Sequence, residues 1–168
     1  MTYRASASLA LALCLAALPL APAMAETAST VHITVWDKGG DALDQLGDIP
    51  PMGMAMGGAQ SGQTMGLKLD TAEVKAGEVT LEVDNSSKDF IHEVVVAPVA
   101  DPNAPLPYSA DENAVDEDAA GAIGEVSELD AGAKGQVTLH LAPGEYILFC
   151  NVPGHYAMGM WSLLKVDA

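Results

Sequence analysis

Hydrophobic residues recur at every second position in three stretches of the chain. Val31, Ile33 and Val35 alternate with His32 and Thr34; Val79, Leu81 and Val83 alternate with Thr80, Glu82 and Asp84; Val137, Leu139 and Leu141 alternate with Thr138 and His140. A period of two puts one set of side chains on one face of an extended backbone, so each stretch predicts a half-buried β-strand. The segments HEVVVAP (92–98), GEYILFC (144–150) and WSLLKV (161–166) are instead apolar at nearly consecutive positions. Such β-branched and aromatic runs predict more deeply buried strands. DKGGD, VKAGE, DNSS, DAGAKG and LAPGE fall between these elements and read as turns. Short strands at this spacing predict an all-β, antiparallel sandwich.

Two insertions interrupt the pattern. Residues 37–66 are rich in glycine and methionine, and residues 101–130 begin with prolines and then carry Asp111, Glu112, Asp116, Glu117 and Asp118 in a predicted short surface helix. No internal repeat is visible. The N-terminus has its own logic: Arg4, a run of twelve apolar residues over 9–20, and the A-x-A triplet Ala23, Met24, Ala25 predict a signal peptide over residues 1–25, cleaved after Ala25. A membrane-spanning helix needs about 20 apolar residues. The expected organisation is therefore an exported, periplasmic protein without a membrane span and with a single domain over residues 26–168. Leu13 before Cys14 is too large for the cleavage position of a lipid-anchored protein.

Charge changes the list of partners. The formal net charge is −16, and −17 once Arg4 is removed. Nucleic acid is a poor partner for such a chain. The balance has two readings, simple solubility or electrostatic steering toward a basic protein partner.

The chemistry concentrates in FCNVPGHYAMGM, residues 149–160. Removing residues 1–25 takes Cys14 away and leaves Cys150 with no disulfide partner in an oxidising compartment. A cysteine at the end of an apolar strand can be a small buried hydrophobe. The following residues suggest more. Pro153-Gly154 is a turn signal that can fold His155 back toward the thiolate, and Met160 opens the next strand. Thiolate, imidazole and thioether together are a copper ligand set, and two histidines, one cysteine and a weak axial methionine form an electron-transfer arrangement. Of the other histidines, His32 and His140 read as solvated strand positions, whereas His92 stands where a loop enters the apolar strand HEVVV. Zinc is the competing ion, since it accepts Cys150, His92 and His155 readily, but Met160 is a poor zinc ligand.

CNVPGHYAMGM, preceded by PGEYILF and with HEVVV some sixty residues upstream, resembles the cupredoxins, the blue or type 1 copper proteins, and is most similar to the rusticyanin, auracyanin and sulfocyanin-like branches. The resemblance spans about residues 31–166. It implies a Greek-key β-sandwich of eight strands, with one copper ion on His92, Cys150 and His155 and Met160 axial. Met158 is a rival for the axial place. Many members carry Asn or Ser directly after the first ligand histidine, where it ties the two ligand loops together. Here that residue is Glu93, so the family's potentials do not carry over. The resemblance also implies that an exposed ring edge of His155, among Pro153, Tyr156, Ala157 and Met158, offers a short electron path to a docked partner. The acids of residues 111–130 would supply a charged rim.

Electron transfer by a monomeric carrier is the function this reading favours. The segment PPMGMAMGG (50–58) supports an alternative. Met52, Met54 and Met56 would lie on one face of an extended chain about 6.6 Å apart, and with Met65 they could form a second, Cu(I) site of a copper chaperone or resistance protein. An adaptable apolar loop is the plainer reading. Catalysis is not expected: there is no H-x-H pair for further copper centres, no second cysteine for a binuclear centre, and no credible nucleophile triad or phosphate loop.

Overall fold

The alternating stretches fold as the pattern predicts, and the turn signals separate them. The computed structural model describes residues 28–40, 63–101 and 104–168. In chain order its strands are β1 (Ser29–Asp37), β2 (Met65–Leu69), β3 (Glu73–Lys75), β4 (Gly77–Asn85), β5 (His92–Val99), β6 (Tyr108–Ser109), β7 (Ala114–Val115), β8 (Gly124–Leu129), β9 (Lys134–Leu141), β10 (Gly144–Phe149) and β11 (Trp161–Asp167), with one helix, α1 (Glu117–Ala120), between β7 and β8. One sheet has the order β2-β1-β4-β9, with β1 and β4 parallel, and the other the order β3-β11-β10-β5-β8, with β3 and β11 parallel. The two main sheets thus hold nine strands among the described residues, where the family resemblance implied eight.

Val31, Ile33, Val35, Leu81 and Val83 from the first sheet pack against Val94, Val96, Leu148, Leu164 and Val166 from the second. The consecutive apolar runs have a separate cause. Val95, Ala97, Ile147 and Phe149 point to the opposite face of the second sheet, where Leu106, Val115 and Tyr156 cover them. β5 and β10 are consequently buried on both faces, and that burial is what removes the alternation from their sequence.

The segment 101–130 is therefore more than an acidic surface insertion. It forms the β6–β7 hairpin, a four-residue helix over Glu117–Ala120 that is shorter than the acid-rich stretch predicted, and the sheet strand β8, which pairs with β5. Only Val126 of β8 is buried, while Glu125 and Glu128 face outward, so its apolar signal is too sparse to read. β8 also packs against β9 of the other sheet across two glycines. A Cβ at Gly135 would meet Val126 Cγ1 at 2.7 Å, and one at Gly124 would meet Leu139 Cδ2 at 2.7 Å. The first insertion is shorter at both ends than predicted, because Asp37 ends β1 and Met65 opens β2 opposite it. Among the described residues no helix is long and apolar enough to cross a membrane.

Candidate metal centre

The site lies at one end of the sandwich, where β5 starts and β10 ends. His92 is the first residue of β5, beside an irregularity in the pairing with β8 that falls between His92 and Val94. Such irregularities re-aim side chains at sheet ends. Cys150 directly follows β10, and its N–H donates to Met160 O at 3.0 Å, which extends the β10–β11 ladder by one step and closes the loop 151–159. Within the loop, His155 N donates to Val152 O at 2.9 Å across Pro153 and Gly154, and Gly154 has φ +88°. This is the Pro-Gly turn that the sequence predicts, with glycine at the position that needs positive φ. Met160 N in turn donates to His155 O at 3.1 Å.

The turn brings three donor atoms together. Nδ1 of His92 and Nδ1 of His155 are 3.2 Å apart, and Cys150 Sγ lies 3.3 Å from Nδ1 of His155 and 3.8 Å from that of His92. His92 and Cys150 are 0% exposed and His155 1%. Met160 is fully buried in the same core cluster as Cys150, as is Met158 at 5%. His32 and His140 are exposed, as expected, and His32 Nδ1 pairs with Glu82 Oε2 at 3.0 Å. Met65 is a fully buried core residue of β2, and Met52, Met54 and Met56 lie outside the described residues.

Burial sets the protonation of the site. It pushes the Cys150 thiol up to about 12 and draws His155 down to about 4, with His92 adding to the latter. His92 is also lowered, by burial, against the opposing pull of Asp37. Without an ion at neutral pH the cluster thus holds a neutral thiol and two neutral imidazoles. Nε2 of His92 lies 3.0 Å from Asp37 Oδ2, and because an ionised carboxylate can only accept, this contact calls for the ring proton on Nε2 and the lone pair on Nδ1, toward His155 Nδ1. Two imidazole nitrogens converging on one sulfur form a donor set that fits copper.

The two ligand-bearing segments are tied by residues that sequence reasoning missed or misjudged. Glu93 Oε1 accepts from Asn151 N at 3.0 Å, so a glutamate makes the tie expected of Asn or Ser. Burial raises Glu93 to about 7, with the charges of Glu117 and Glu125 adding to the shift. Asn151 also grips the second insertion: its Oδ1 accepts from Val115 N at 2.6 Å, and its Nδ2 donates to Val115 O at 3.0 Å and Glu117 Oε1 at 2.7 Å. Asn85, fully buried, donates to the carbonyls of Phe90, Leu129 and Asp130 and orders the approach to His92. The exposed edge of His155 is not found. Tyr156 and Met158 are buried with it, Phe90 meets its ring edge-on at a centroid distance of 6.2 Å, and of the four residues named around it only Pro153 is exposed.

The sequence profile of copper-binding proteins of the plastocyanin/azurin family matches residues 54–167. The chain belongs to that family, the cupredoxins, and copper is the cofactor that family and donor set define. Among solved structures it is similar to rusticyanin from Thiobacillus ferrooxidans, at 18% identity over 82% of this chain and 76% of that one, with a TM-score of 0.51. Auracyanin B is similar at 23% identity over 83% and 89% of the two chains, with a TM-score of 0.50. No curated protein sequence matches the chain.

Proposed function

We propose that His92, Cys150, His155 and Met160 would together hold one copper ion, and that the protein carries single electrons between redox partners. The convergence of two imidazole Nδ1 atoms and one thiol sulfur within 3.2–3.8 Å carries this reading. Copper bound there would supply one-electron chemistry, passing between Cu(II) and Cu(I). The chain's own part is to hold one geometry for both states. Cys150 and Met160 are fixed by the β10–β11 ladder, His155 by the Pro153-Gly154 turn, and burial keeps water from the donors. Met158 N and Met160 N both donate to His155 O, and the bond that favours Met160 over Met158 as the thioether ligand is the one from Cys150 N to Met160 O, which ties Met160 directly to the thiol-bearing residue.

Export by residues 1–25, a periplasmic location and a monomeric domain over 26–168 belong to the same proposal. So does a basic docking partner, for which Asp111, Glu112, Asp116 and Asp118 are exposed while Glu117 is engaged with Asn151. With His155 buried, electrons would cross the protein that covers it, Phe90 included, instead of an exposed ring edge. Copper handling through Met52, Met54, Met56 and Met65 is the second reading. It is weakened by the place of Met65 in the core, which the side chain would have to leave. Replacing Met52, Met54 and Met56 together by leucine is expected to leave one copper ion per chain, with retention in both oxidation states and reversible one-electron voltammetry. A fall in stoichiometry or in Cu(I) retention would move the function to copper handling.

A further inference from the structure

The buried carboxylate of Asp37 has no part in the ligand set, yet it is built into the site. Its side chain is 1% exposed and its Oδ2 lies 3.0 Å from Nε2 of His92, whose side chain is 0% exposed. The rest of the carboxylate is also satisfied: Gly39 N donates to Oδ1 at 2.7 Å, and the Ser87 hydroxyl adds a further hydrogen bond. Burial alone would raise this acid, but the hydrogen bonds from Ser87, His92 and Gly39 outweigh it and hold the group below its ordinary value. Gly39 N, the Ser87 hydroxyl and His92 Nε2 all converge on its two oxygens, the surroundings of an ionised carboxylate, which leaves Asp37 as an anion, its side chain out of solvent, one imidazole ring away from the donor atoms.

We propose that Asp37 is a positioning and charge-setting residue of the metal centre: it keeps the proton of His92 on Nε2, so that Nδ1 is offered to the metal, and its fixed negative charge favours the oxidised ion. The inference rests on the reading of His92 as a ligand. Imidazole has two tautomers, and the one that binds through Nδ1 must carry its proton on Nε2. A carboxylate on the far nitrogen selects that tautomer, holds the ring orientation and raises ligand basicity. Charge acts separately from orientation. A Cu(II) ion with one thiolate has a net charge of +1 and Cu(I) with the same thiolate has none, so a buried anion nearby stabilises the oxidised form more.

Two substitutions separate the roles. Asp37→Asn keeps an acceptor oxygen of the same shape and removes the charge. It is expected to leave His92 protonated on Nε2, seen in the ring ¹⁵N shifts of the metal-free protein, and to weaken Cu(II) relative to Cu(I) binding about tenfold, a rise of about 59 mV in potential for one electron. Asp37→Ala removes the acceptor as well. Its metal-free His92 is expected to lose the single-tautomer signature, and its Zn(II) affinity to fall 10- to 100-fold. A wild-type His92 carrying its proton on Nδ1, or an Asn variant with unchanged potential beside an Ala variant with Zn(II) affinity within twofold of wild type, overturns the proposal. Should the wild-type copper protein lack a thiolate-to-copper band, the ligand assignment itself fails. If the band is present and both variants behave as wild type, only the role of Asp37 does.

Discussion

Asn85→Leu is expected to destabilise the metal-free protein by about 3 kcal/mol or more, and to lower its midpoint of thermal unfolding by roughly 10 °C. The two side chains are of similar size, so the effect comes from hydrogen bonds and not from a cavity. Asn85 is 0% exposed, its Nδ2 donates to Phe90 O, Leu129 O and Asp130 O at 2.9, 2.9 and 3.2 Å, and its Oδ1 accepts from Ser87 N at 3.0 Å. Leucine would strand one donor and three carbonyls, and each buried polar group left unpaired costs about 1–3 kcal/mol, less whatever the remaining partners recover by shifting. The bonds also tie the end of β4 to the loop that delivers His92 and to the end of β8. Urea unfolding of the metal-free protein measures the loss. His32→Ala, which removes an exposed pair with Glu82, serves as the control, with an expected change within about 0.5 kcal/mol. A loss below about 1 kcal/mol for Asn85→Leu would mean that the His92 loop is held by its packing.

Metal uptake is expected to release one proton per ion and to strengthen tenfold per pH unit between pH 8 and pH 9. The sign follows from the site. Cys150 binds a metal as thiolate, but burial holds the metal-free thiol up to about 12, so the proton must leave on binding. His155, lowered to about 4, and His92, lowered as well, have no proton to surrender in this window, and Glu93, raised to about 7, is largely ionised above it. Each unit of rising pH therefore removes one competing proton equivalent, and the apparent dissociation constant for Co(II) falls tenfold. Titration with Co(II), read by its thiolate absorption, gives the slope. Pairs of buffers with different ionisation enthalpies give the proton count. A constant affinity over this range would place a preformed thiolate in the metal-free protein, and a slope of two would place a second titrating ligand.

Most of what positions the site could be read along the chain, because it is local. The Cys150–Met160 loop is a run of eleven residues whose turn is written in Pro153 and Gly154, and β1, β4 and β9 each carry their own period-two pattern. What escaped reading depends on distant partners. Asp37 and His92 are 55 positions apart and meet only because β1 ends beside the start of β5. An aspartate after an apolar strand resembles any turn residue. Asn85 and Asn151 likewise look like loop asparagines until their carbonyl and amide partners are placed around them. The second insertion was misread for a related reason: Leu106, Val115 and Val126 are isolated apolar residues in an acidic stretch, and each finds its place only against a sheet built elsewhere. The burial of His155 is of this kind too, since Phe90 reaches it from the other ligand-bearing segment.

The visible absorption and paramagnetic resonance spectra of the Cu(II)-loaded protein, recorded beside those of Cys150→Ser, test the central claim most directly. An intense thiolate-to-copper band in the wild type, absent from the variant, with the narrow copper hyperfine splitting of a type 1 site, is the predicted result. A wild-type protein that binds copper without that band, or a variant that keeps it, would contradict the assignment of Cys150, His92 and His155 to a single copper centre.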